Sequence, residues 1–234
     1  MGEFFALACA LVWAFAVIFF KKSGETVSPF TLNLFRVTVS SVLFALTLVI
    51  MGKPLWGQAP LADYLILAAS GIIAIAVSDT FFHMCLNRVG AGLNAIVDTL
   101  YSPFIILFAV LMLGEGLRRG QFLGMVLIIG GVLVASAAKP PAGLSRRDLV
   151  LGVFFGVAAM ATLGFGIVLA KPVLERSDVL WATSVRQFGS LAALAAAALM
   201  MPGRRVRLGV FRPQASWRFT PVSYTHLRAH ETND

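Results

Sequence analysis

Charged residues are scarce in this chain. They make up 13% of the 234 residues, and hydrophobic residues make up 59%, whereas an average soluble protein is about 25% charged. A soluble fold has no use for so much apolar surface, so this composition favours a protein that lies in a lipid bilayer. The net charge is +8, but Lys and Arg are scattered between apolar runs, which indicates basic loops beside membrane helices rather than nucleic-acid binding.

Cysteines and nucleotide-binding motifs are also scarce or absent. Cys9 and Cys85 both lie in or at the end of apolar runs, which excludes a disulfide framework, and no residue spacing fits a metal site. The sequence contains no G-x-x-x-x-G-K-[ST] pattern for ATP phosphates and no nucleophile elbow or intramembrane aspartyl protease motif. We therefore predict no metal and no cofactor, and a gradient rather than ATP as the source of any energy.

Seven apolar runs are long enough for spanning helices, which need about 20 mostly apolar residues. They cover residues 3–20, 29–51, 61–86, 92–113, 121–138, 149–170 and 179–201. Each span in the hydrocarbon must satisfy its own backbone hydrogen bonds, so the runs predict an all-α integral membrane protein with seven transmembrane helices. The first run ends in Lys21 and Lys22 instead of a cleavage site, which favours a mature helix over a signal peptide.

The sequence matches itself without gaps at an offset of 150 residues. Lys21 falls on Lys171 and Arg36 falls on Arg186, and these matches are informative because charges are rare here. The repeat unit spans five helices, so a second copy enters the membrane from the opposite side, as in many secondary transporters with a site near the midplane. The alternative is a pair of similar hairpins without functional meaning.

This repeat predicts the domain organisation of the chain. Residues 1–139 form the first repeat with helices 1 to 5, and residues 148–201 begin the second, inverted repeat with helices 6 and 7. A basic and polar tail follows at residues 202–234. Residues 222–234 resemble translated adapter sequence, so we assign no role to His226 or His230. Because the second copy stops after two helices, we expect a chain truncated at its C-terminus.

Helices 4 and 5 carry a specific pattern: a proline inside a helix, an LGE at the helix end, a Q-x-x-G and a closing GGV. These are Pro103, Leu113-Gly114-Glu115, Gln121–Gly124 and Gly130-Gly131-Val132. The pattern resembles the drug/metabolite transporter superfamily in its EamA-type branch. Trp13 in helix 1 and Arg36 in helix 2 also resemble the first repeat of that family, and the similarity covers about Glu3–Met201.

The resemblance implies a ten-helix architecture of two inverted five-helix repeats, of which this chain has seven helices. It implies export or exchange of small metabolites across the cytoplasmic (inner) membrane, and it places the N-terminus in the cytoplasm. The sequence alone does not fix that orientation, because Lys and Arg are divided almost equally between the two sets of loops.

Ionisable side chains inside the membrane cost about 2.5–3.5 kcal/mol each on insertion scales, so each one needs a reason. If helices 3 and 4 form a hairpin with its turn near Arg88–Val89, residues equally far from the turn lie at similar depth. Asp79 and Asp98 form one such pair, and His83 and Asn94 form a second, nearer the turn. Arg36 enters from the same side, so we predict that these residues form one polar cluster.

Two interpretations of this cluster stay open. In the functional one it is a gate or a substrate and proton site, in which a carboxylate holds Arg36 until it is protonated. In the structural one it is a buried ion pair that fixes the helix register. A less favoured third interpretation is that these side chains extend to the membrane interface. Asp79 and Asp98 fall where the family usually carries apolar or small polar residues, so the resemblance does not support them.

Four further residues are candidates for the site. Tyr101 lies one turn beyond Asp98, and Arg186 is the repeat mate of Arg36, near the other membrane face, with expected partners on helices this chain lacks. Pro103 either frees a carbonyl in a cavity or is a packing kink. Trp13 either lines the pathway, as the resemblance suggests, or anchors the helix at the interface. Gly120-x-x-x-Gly124 and Gly152-x-x-x-Gly156 are expected to pack inside the chain.

We therefore predict a non-enzymatic secondary transporter of a small metabolite, with proton coupling as the option that suits its carboxylates. Its partners are the substrate and membrane lipids, without nucleic acid; a homodimer is left open. One alternative is a membrane-embedded enzyme that acts on a lipid head group through Asp79, His83 and Asp98. Another is a membrane scaffold without catalytic activity.

Overall fold

The fold comes from a computed structural model, which describes residues 2–56, 59–137 and 144–200. The described residues are helical apart from short connections and contain no strand, so the predicted all-α class is confirmed. A π-helix, Ile72–Val77, separates α3 from α4. The α-helices are α1 (Gly2–Ser23), α2 (Pro29–Ile50), α3 (Leu61–Gly71), α4 (Ser78–Asp98), α5 (Tyr101–Leu113), α6 (Arg119–Ala137), α7 (Arg146–Leu174) and α8 (Val179–Met200).

Among the described residues, four helical segments are long and apolar enough to cross a membrane. They are Pro29–Ile50, Leu61–Asp98, Arg119–Ser136 and Arg146–Leu174, and α5 is a shorter apolar helix. These segments agree with a multi-pass membrane protein. The polar pair Arg186 and Gln187 lowers the mean hydropathy of α8, which is helical over its predicted length but is not one of the four.

Gly90 makes the turn that the sequence predicted near Arg88–Val89. Its φ of 79° and ψ of 172° interrupt α4, and this left-handed region of φ favours glycine because glycine has no Cβ. The helical direction therefore changes within α4, one residue beyond the predicted position. Predicted helices 3 and 4 become two arms, residues 61–89 and 91–113, which we call the hairpin.

Helix α7 packs along both arms of the hairpin. A Cβ placed on Gly156 would lie 2.9 Å from the sulfur of Cys85 on the first arm and 2.6 Å from a methyl group of Val97 on the second. Farther along α7, Ser70 donates a hydrogen bond to the Gly166 carbonyl at 2.6 Å, and Ser78 donates one to the Ala159 carbonyl at 2.8 Å. Both arms therefore run away from Gly90 beside the same helix.

The two predicted pairs of packing glycines, one on α7 and one on α6, have different surroundings. Gly152 lies directly against Val89, and Gly156 lies against both arms, so the prediction of packing inside the chain is confirmed for this pair. Gly120 and Gly124 of α6 have no neighbouring atom of the described chain within 4 Å of an added Cβ, so the prediction is wrong for them. Helix α6 lies at the periphery, and its glycines face open space.

Helical structure is interrupted between α4 and α5. The N–H groups of Thr99 and Leu100 donate to the carbonyls three residues before them, at 3.2 Å and 3.0 Å, which is the tighter pattern of a 3₁₀ turn. Pro103 has no N–H to donate to the Thr99 carbonyl. The break therefore lies one turn before the proline, next to Asp98.

Several predictions fall on residues outside the described part of the chain. These are the tail at residues 202–234, the connection at residues 138–143, and the last residue of predicted helices 5 and 7. The division of the chain into a first repeat at 1–139 and a second repeat at 148–201 stays a prediction.

Gly166→Ala and Gly124→Ala form a matched pair that tests the packing of α7. A Cβ at Gly166 would lie 2.7 Å from the Cβ of Ala74 and 3.0 Å from the Ser70 carbonyl oxygen, so we expect overpacking to cost about 1–3 kcal/mol. Gly124→Ala meets open space and should gain up to about 1 kcal/mol of helix propensity. Thermal unfolding in detergent, followed by tryptophan fluorescence, measures both. Equal midpoints for the two variants would contradict the packing described here.

Candidate functional site

An ion pair joins α2 to the hairpin inside the apolar part of the chain. Arg36 of α2 donates from Nη2 to the carboxylate of Asp79 in the first turn of α4. The two side chains are 27% and 19% exposed. The same nitrogen donates to Oδ1 of Asn33 at 3.2 Å, so a carboxylate and an amide hold the guanidinium.

An aromatic cluster of Trp13, Phe20, Phe82 and His83 adjoins this ion pair through Phe20. The guanidinium carbon of Arg36 lies 5.9 Å from the ring centre of Phe20, within the range of cation–π attraction. Phe20 meets the ring of His83 edge to face at 5.1 Å, and Trp13 packs on Phe82 at 5.8 Å. Trp13 is 47% exposed. It therefore belongs to this aromatic cluster and also reaches the surface of the described chain.

His83 is buried in this aromatic cluster and makes no hydrogen bond among the described residues. It is 1% exposed, and neither Nδ1 nor Nε2 has a partner among the described residues. Its ring contacts are Phe20 and Phe82, and the charge of Arg36 lies within electrostatic reach. The structure therefore brings Arg36, Asp79 and His83 together, as the hairpin geometry predicted.

Asn94 and Asp98 form a second group on the other arm of the hairpin. Asn94 is completely buried, and its Nδ2 donates to Oδ2 of Asp98 at 3.1 Å. The remaining oxygen of each side chain, Oδ1, has no partner in the described part of the chain. Asp98 therefore has a carboxylate oxygen that no cation or donor satisfies.

The described residues contain no hydrogen bond or ion pair between Asp98 and Arg36. Ser78, next to Asp79, contacts α7 at Ala159, while Val97, next to Asp98, contacts it at Gly156. Three residues of α-helix separate these levels by about 4.5 Å. The structure thus places the two carboxylates about one turn apart in depth and in separate groups, where the sequence predicted a single cluster.

Tyr101 on the second arm of the hairpin lies within electrostatic range of Arg186 on α8. Tyr101 is half-buried in the first turn of α5, and its phenol interacts electrostatically with the Arg186 guanidinium. Nε of Arg186 has no hydrogen-bond partner, and no acidic residue in the described ranges pairs with this side chain. The backbone carbonyl of Arg186 lies directly against Gly71, so α8 approaches the first arm closely here.

Asn33 was not predicted from the sequence. It is fully buried, and its Nδ2 donates to the carbonyls of Ile75 and Ala76 at 3.1 Å and 3.0 Å and to the hydroxyl of Thr80 at 3.0 Å. A sequence signal existed, because an asparagine three residues before Arg36 shares its face of the helix. Its acceptors belong to the π-helix and to α4, which the sequence did not reveal.

Gln187 was missed as well. Its Nε2 donates to the Val37 carbonyl at 3.3 Å and to the hydroxyl of Ser40. Val37 and Gln187 are separated by 150 residues, the offset of the predicted repeat. Two repeat-equivalent residues can touch only near the axis that relates the copies, so this contact suits the predicted inverted repeat.

Near the far end of α2, ion pairs join the loop between α7 and α8 to the loop after α2 and to the first turn of α3. Lys53 donates to Asp178 at 2.6 Å, and Arg176 donates to Asp63 at 2.5 Å. We call these four residues the loop ion pairs. Their members are more than 100 residues apart in sequence, which is why the sequence did not predict them. The hydrogen bond from Lys53 lowers the pKa of Asp178 below its usual 3.8, so this pair stays charged until the pH falls below that value.

Aromatic side chains hold the connection that carries Lys53 of the loop ion pairs. The Leu55 carbonyl accepts hydrogen bonds from the Tyr64 hydroxyl and from Nε1 of Trp181, both at 2.8 Å. Trp56 stacks on Tyr64 with ring centres 5.4 Å apart. These contacts fix the connection between α2 and α3 on the first turn of α8.

Curated relatives of this chain are transporters. It is 25% identical over 147 residues to an uncharacterized transporter of Clostridium kluyveri, a match that covers 62% of this chain and 47% of that protein. It is 22% identical over 174 residues to an uncharacterized transporter of Archaeoglobus fulgidus, covering 74% and 60%. The chain therefore spans about half the length of the curated relatives it matches.

A solved structure and a family model complete the comparison. A crystal structure with 18% sequence identity matches 87% of this chain and 74% of its own chain with a TM-score of 0.53, which shows a shared fold. The model of the EamA-like transporter family matches residues 1–137, and it ends two residues before the predicted boundary of the first repeat. Because that match covers more than half of the sequence, the predicted resemblance is confirmed: the chain belongs to the EamA-like transporter family.

Proposed function

We propose that this protein is a secondary transporter that exports or exchanges a small polar or amphipathic metabolite by alternating access. The observation that carries the proposal is the ion pair of Arg36 and Asp79, held between α2 and the hairpin beside unpaired polar atoms. Intramembrane charges are costly and mark substrate or ion pathways in membrane proteins. Membership of a transporter family favours movement of a compound without chemical change.

The ion pair is suited to exchange its partners. Nε of Arg36 has no hydrogen-bond partner among the described residues, so the guanidinium can still donate to a polar group of a substrate. The rings of Phe20 and Trp13 offer apolar surface beside it. Once its contact with Asp79 is broken, the guanidinium of Arg36 is free to bind the substrate.

Asp98 is the proposed proton site. Its only described hydrogen bond comes from Asn94, and it has no ion pair in the described ranges. An isolated carboxylate in an apolar environment is costly when charged, and the protonated form relieves that cost. A group that gains a proton in one state and loses it in another can couple transport to a proton gradient.

The two ends of α2 are held differently, as alternating access requires. The loop ion pairs close the end near Lys53. At the end near Pro29, Lys21 donates to the Asn87 carbonyl at 2.9 Å, and Asn87 donates to the Gly24 carbonyl at 3.1 Å. In the described chain, the one ion pair in that half of α2 is Arg36–Asp79, seven residues beyond Pro29 and inside the helix rather than at its end. We therefore propose that the loop ion pairs form the closed gate and that the end near Gly90 opens more easily.

Removing either partner of the ion pair should abolish transport. We expect Arg36→Ala and Asp79→Asn to lower substrate flux at least about tenfold, because one buried charge is left uncompensated at a cost of about 3–5 kcal/mol. The measurement is uptake of a ¹³C-labelled mixture of small metabolites into proteoliposomes, with mass spectrometry of the trapped compounds. Arg119→Ala and Glu175→Gln remove exposed charges and should keep the wild-type flux.

The double variant Arg36→Leu/Asp79→Leu separates the functional and structural interpretations. Removing both charges is often neutral for stability, so the protein should fold. The proposed substrate site requires both charges, so we expect no flux from this variant. Wild-type flux in the folded double variant would show that the pair only fixes the helix register.

Asp98→Asn tests proton coupling. The neutral amide cannot take up a proton, so we expect a pH gradient to stop driving accumulation while exchange of substrate at equal pH continues. The readout is substrate flux together with pyranine fluorescence inside the vesicles, and Asp98→Glu is the conservative control. Proton movement with substrate in Asp98→Asn at the wild-type ratio would remove this residue from the coupling step.

A disulfide across the loop ion pairs tests the closed gate. We expect Lys53→Cys/Asp178→Cys, in a background with Cys9→Ser and Cys85→Ser, to lose at least about nine-tenths of its flux after oxidation and to regain it after reduction, because alternating access requires this face to open. Each single-cysteine variant is the control. Undiminished flux in the oxidised protein would mean that this face does not move during transport.

A further inference from the structure

The π-helix Ile72–Val77 lies directly before the candidate site. At its end, the N–H of Ser78 donates to the carbonyl of Ile73, five residues earlier, and Asp79 is the next residue. Such π segments are rare and occur frequently at functional sites. A side chain of another helix that donates hydrogen bonds to carbonyls of this segment can stabilise it.

Asn33 supplies that contact. Its amide nitrogen reaches the carbonyls of Ile75 and Ala76 and the hydroxyl of Thr80, all within 3.1 Å. The Thr80 hydroxyl in turn donates to the Ala76 carbonyl at 2.7 Å, so its lone pair is available to the amide. Asn33 lies on α2, and it therefore stabilises the π-helix from a neighbouring helix.

The other end of the same amide contacts the ion pair. Oδ1 of Asn33 accepts a hydrogen bond from Nη2 of Arg36, the nitrogen that also binds Asp79. A continuous chain of hydrogen bonds thus runs from the π-helix through Asn33 and Arg36 to Asp79. Movement of the guanidinium toward a substrate changes the contact that orients the amide.

We infer that Asn33 is a positioning residue that couples the ion pair to the register of the π-helix, an inference that rests on the proposed function. Conversion of the π-helix to an α-helix shifts the following chain by one residue, which is about 1.5 Å of rise and about 100° of rotation. Asp79, His83 and Cys85 all follow the π-helix. Release of Asn33 therefore turns the first half of α4 against α7 and moves Asp79 and His83 together.

Cys85 reports this rotation directly. It is completely buried, and its sulfur lies against Gly156 of α7. With Cys9→Ser as background, Cys85 is the single cysteine, and its rate of labelling by N-ethylmaleimide follows its exposure. Asn33→Leu removes the amide donors at similar volume. We expect this variant to raise the labelling rate about tenfold. Loss of one buried hydrogen-bonding group shifts a closed-to-open equilibrium by about that factor.

The decisive measurement is a double-variant cycle. Asp79→Asn should also raise the labelling rate, and Asn33→Leu/Asp79→Asn should exceed the larger single effect by less than about twofold, because both act through one chain of hydrogen bonds. Thr38→Val removes a hydroxyl whose one described hydrogen bond stays within α2, to the Leu34 carbonyl at 2.8 Å, and should label like the wild type. If Asn33→Leu aggregates in detergent, Asn33→Ala takes its place in the cycle.

The outcomes separate this inference from the proposed function. Multiplied effects in the double variant, or an unchanged labelling rate in Asn33→Leu, would overturn the coupling role of Asn33 even if Arg36→Ala abolishes flux. Labelling needs no substrate, so a non-additive cycle supports the coupling even if no compound is transported. Flux adds a second readout: Asn33→Leu should lower the maximal rate more than it changes the substrate concentration at half-maximal rate.

Discussion

Close contact between α7 and the hairpin is the constraint on which the candidate site depends. The glycines of α7 let its backbone approach the first arm so closely that Ser70 and Ser78 donate hydrogen bonds to its carbonyls. This contact fixes the depth of both arms against one helix. In a bilayer, where water does not drive helices together, small residues and buried hydrogen bonds of this kind provide the association.

The polar atoms of the site depend on one another in a similar way. Asn33 satisfies the carbonyls of the π-helix and orients Arg36, and Arg36 neutralises Asp79. On the second arm, Asn94 and Asp98 satisfy each other only in part. In one polar group of the site the carboxylate is thus paired, and the other group keeps acceptor atoms without a partner among the described residues. A bound proton or substrate can replace a hydrogen bond of the first group and supply a missing one to the second.

Sequence reasoning was accurate where one periodicity or one residue type decides the outcome. Long apolar runs predicted the helices, the break between the runs at residues 61–86 and 92–113 predicted a turn near Arg88–Val89, and the pattern around Pro103 predicted the family. It did not reveal that Asp98 bonds to Asn94 while Arg36 pairs with Asp79, because equal distance from a turn fixes depth only approximately and says nothing about which way a side chain faces. It also missed Asn33, because the acceptors of this amide lie on the π-helix and on α4, 42 to 47 residues away in sequence.

The sequence by itself determined that this chain is a helical membrane protein of a transporter family, because composition and run length are local properties. Only the tertiary structure decided which charges meet: Arg36 pairs with Asp79, and Asp98 lies apart. The loop ion pairs, whose members are more than 100 residues apart in sequence, likewise appear only in the folded chain. The physical reason is that helix formation depends on neighbouring residues, whereas the partner of a buried charge is chosen by how closely separate helices pack.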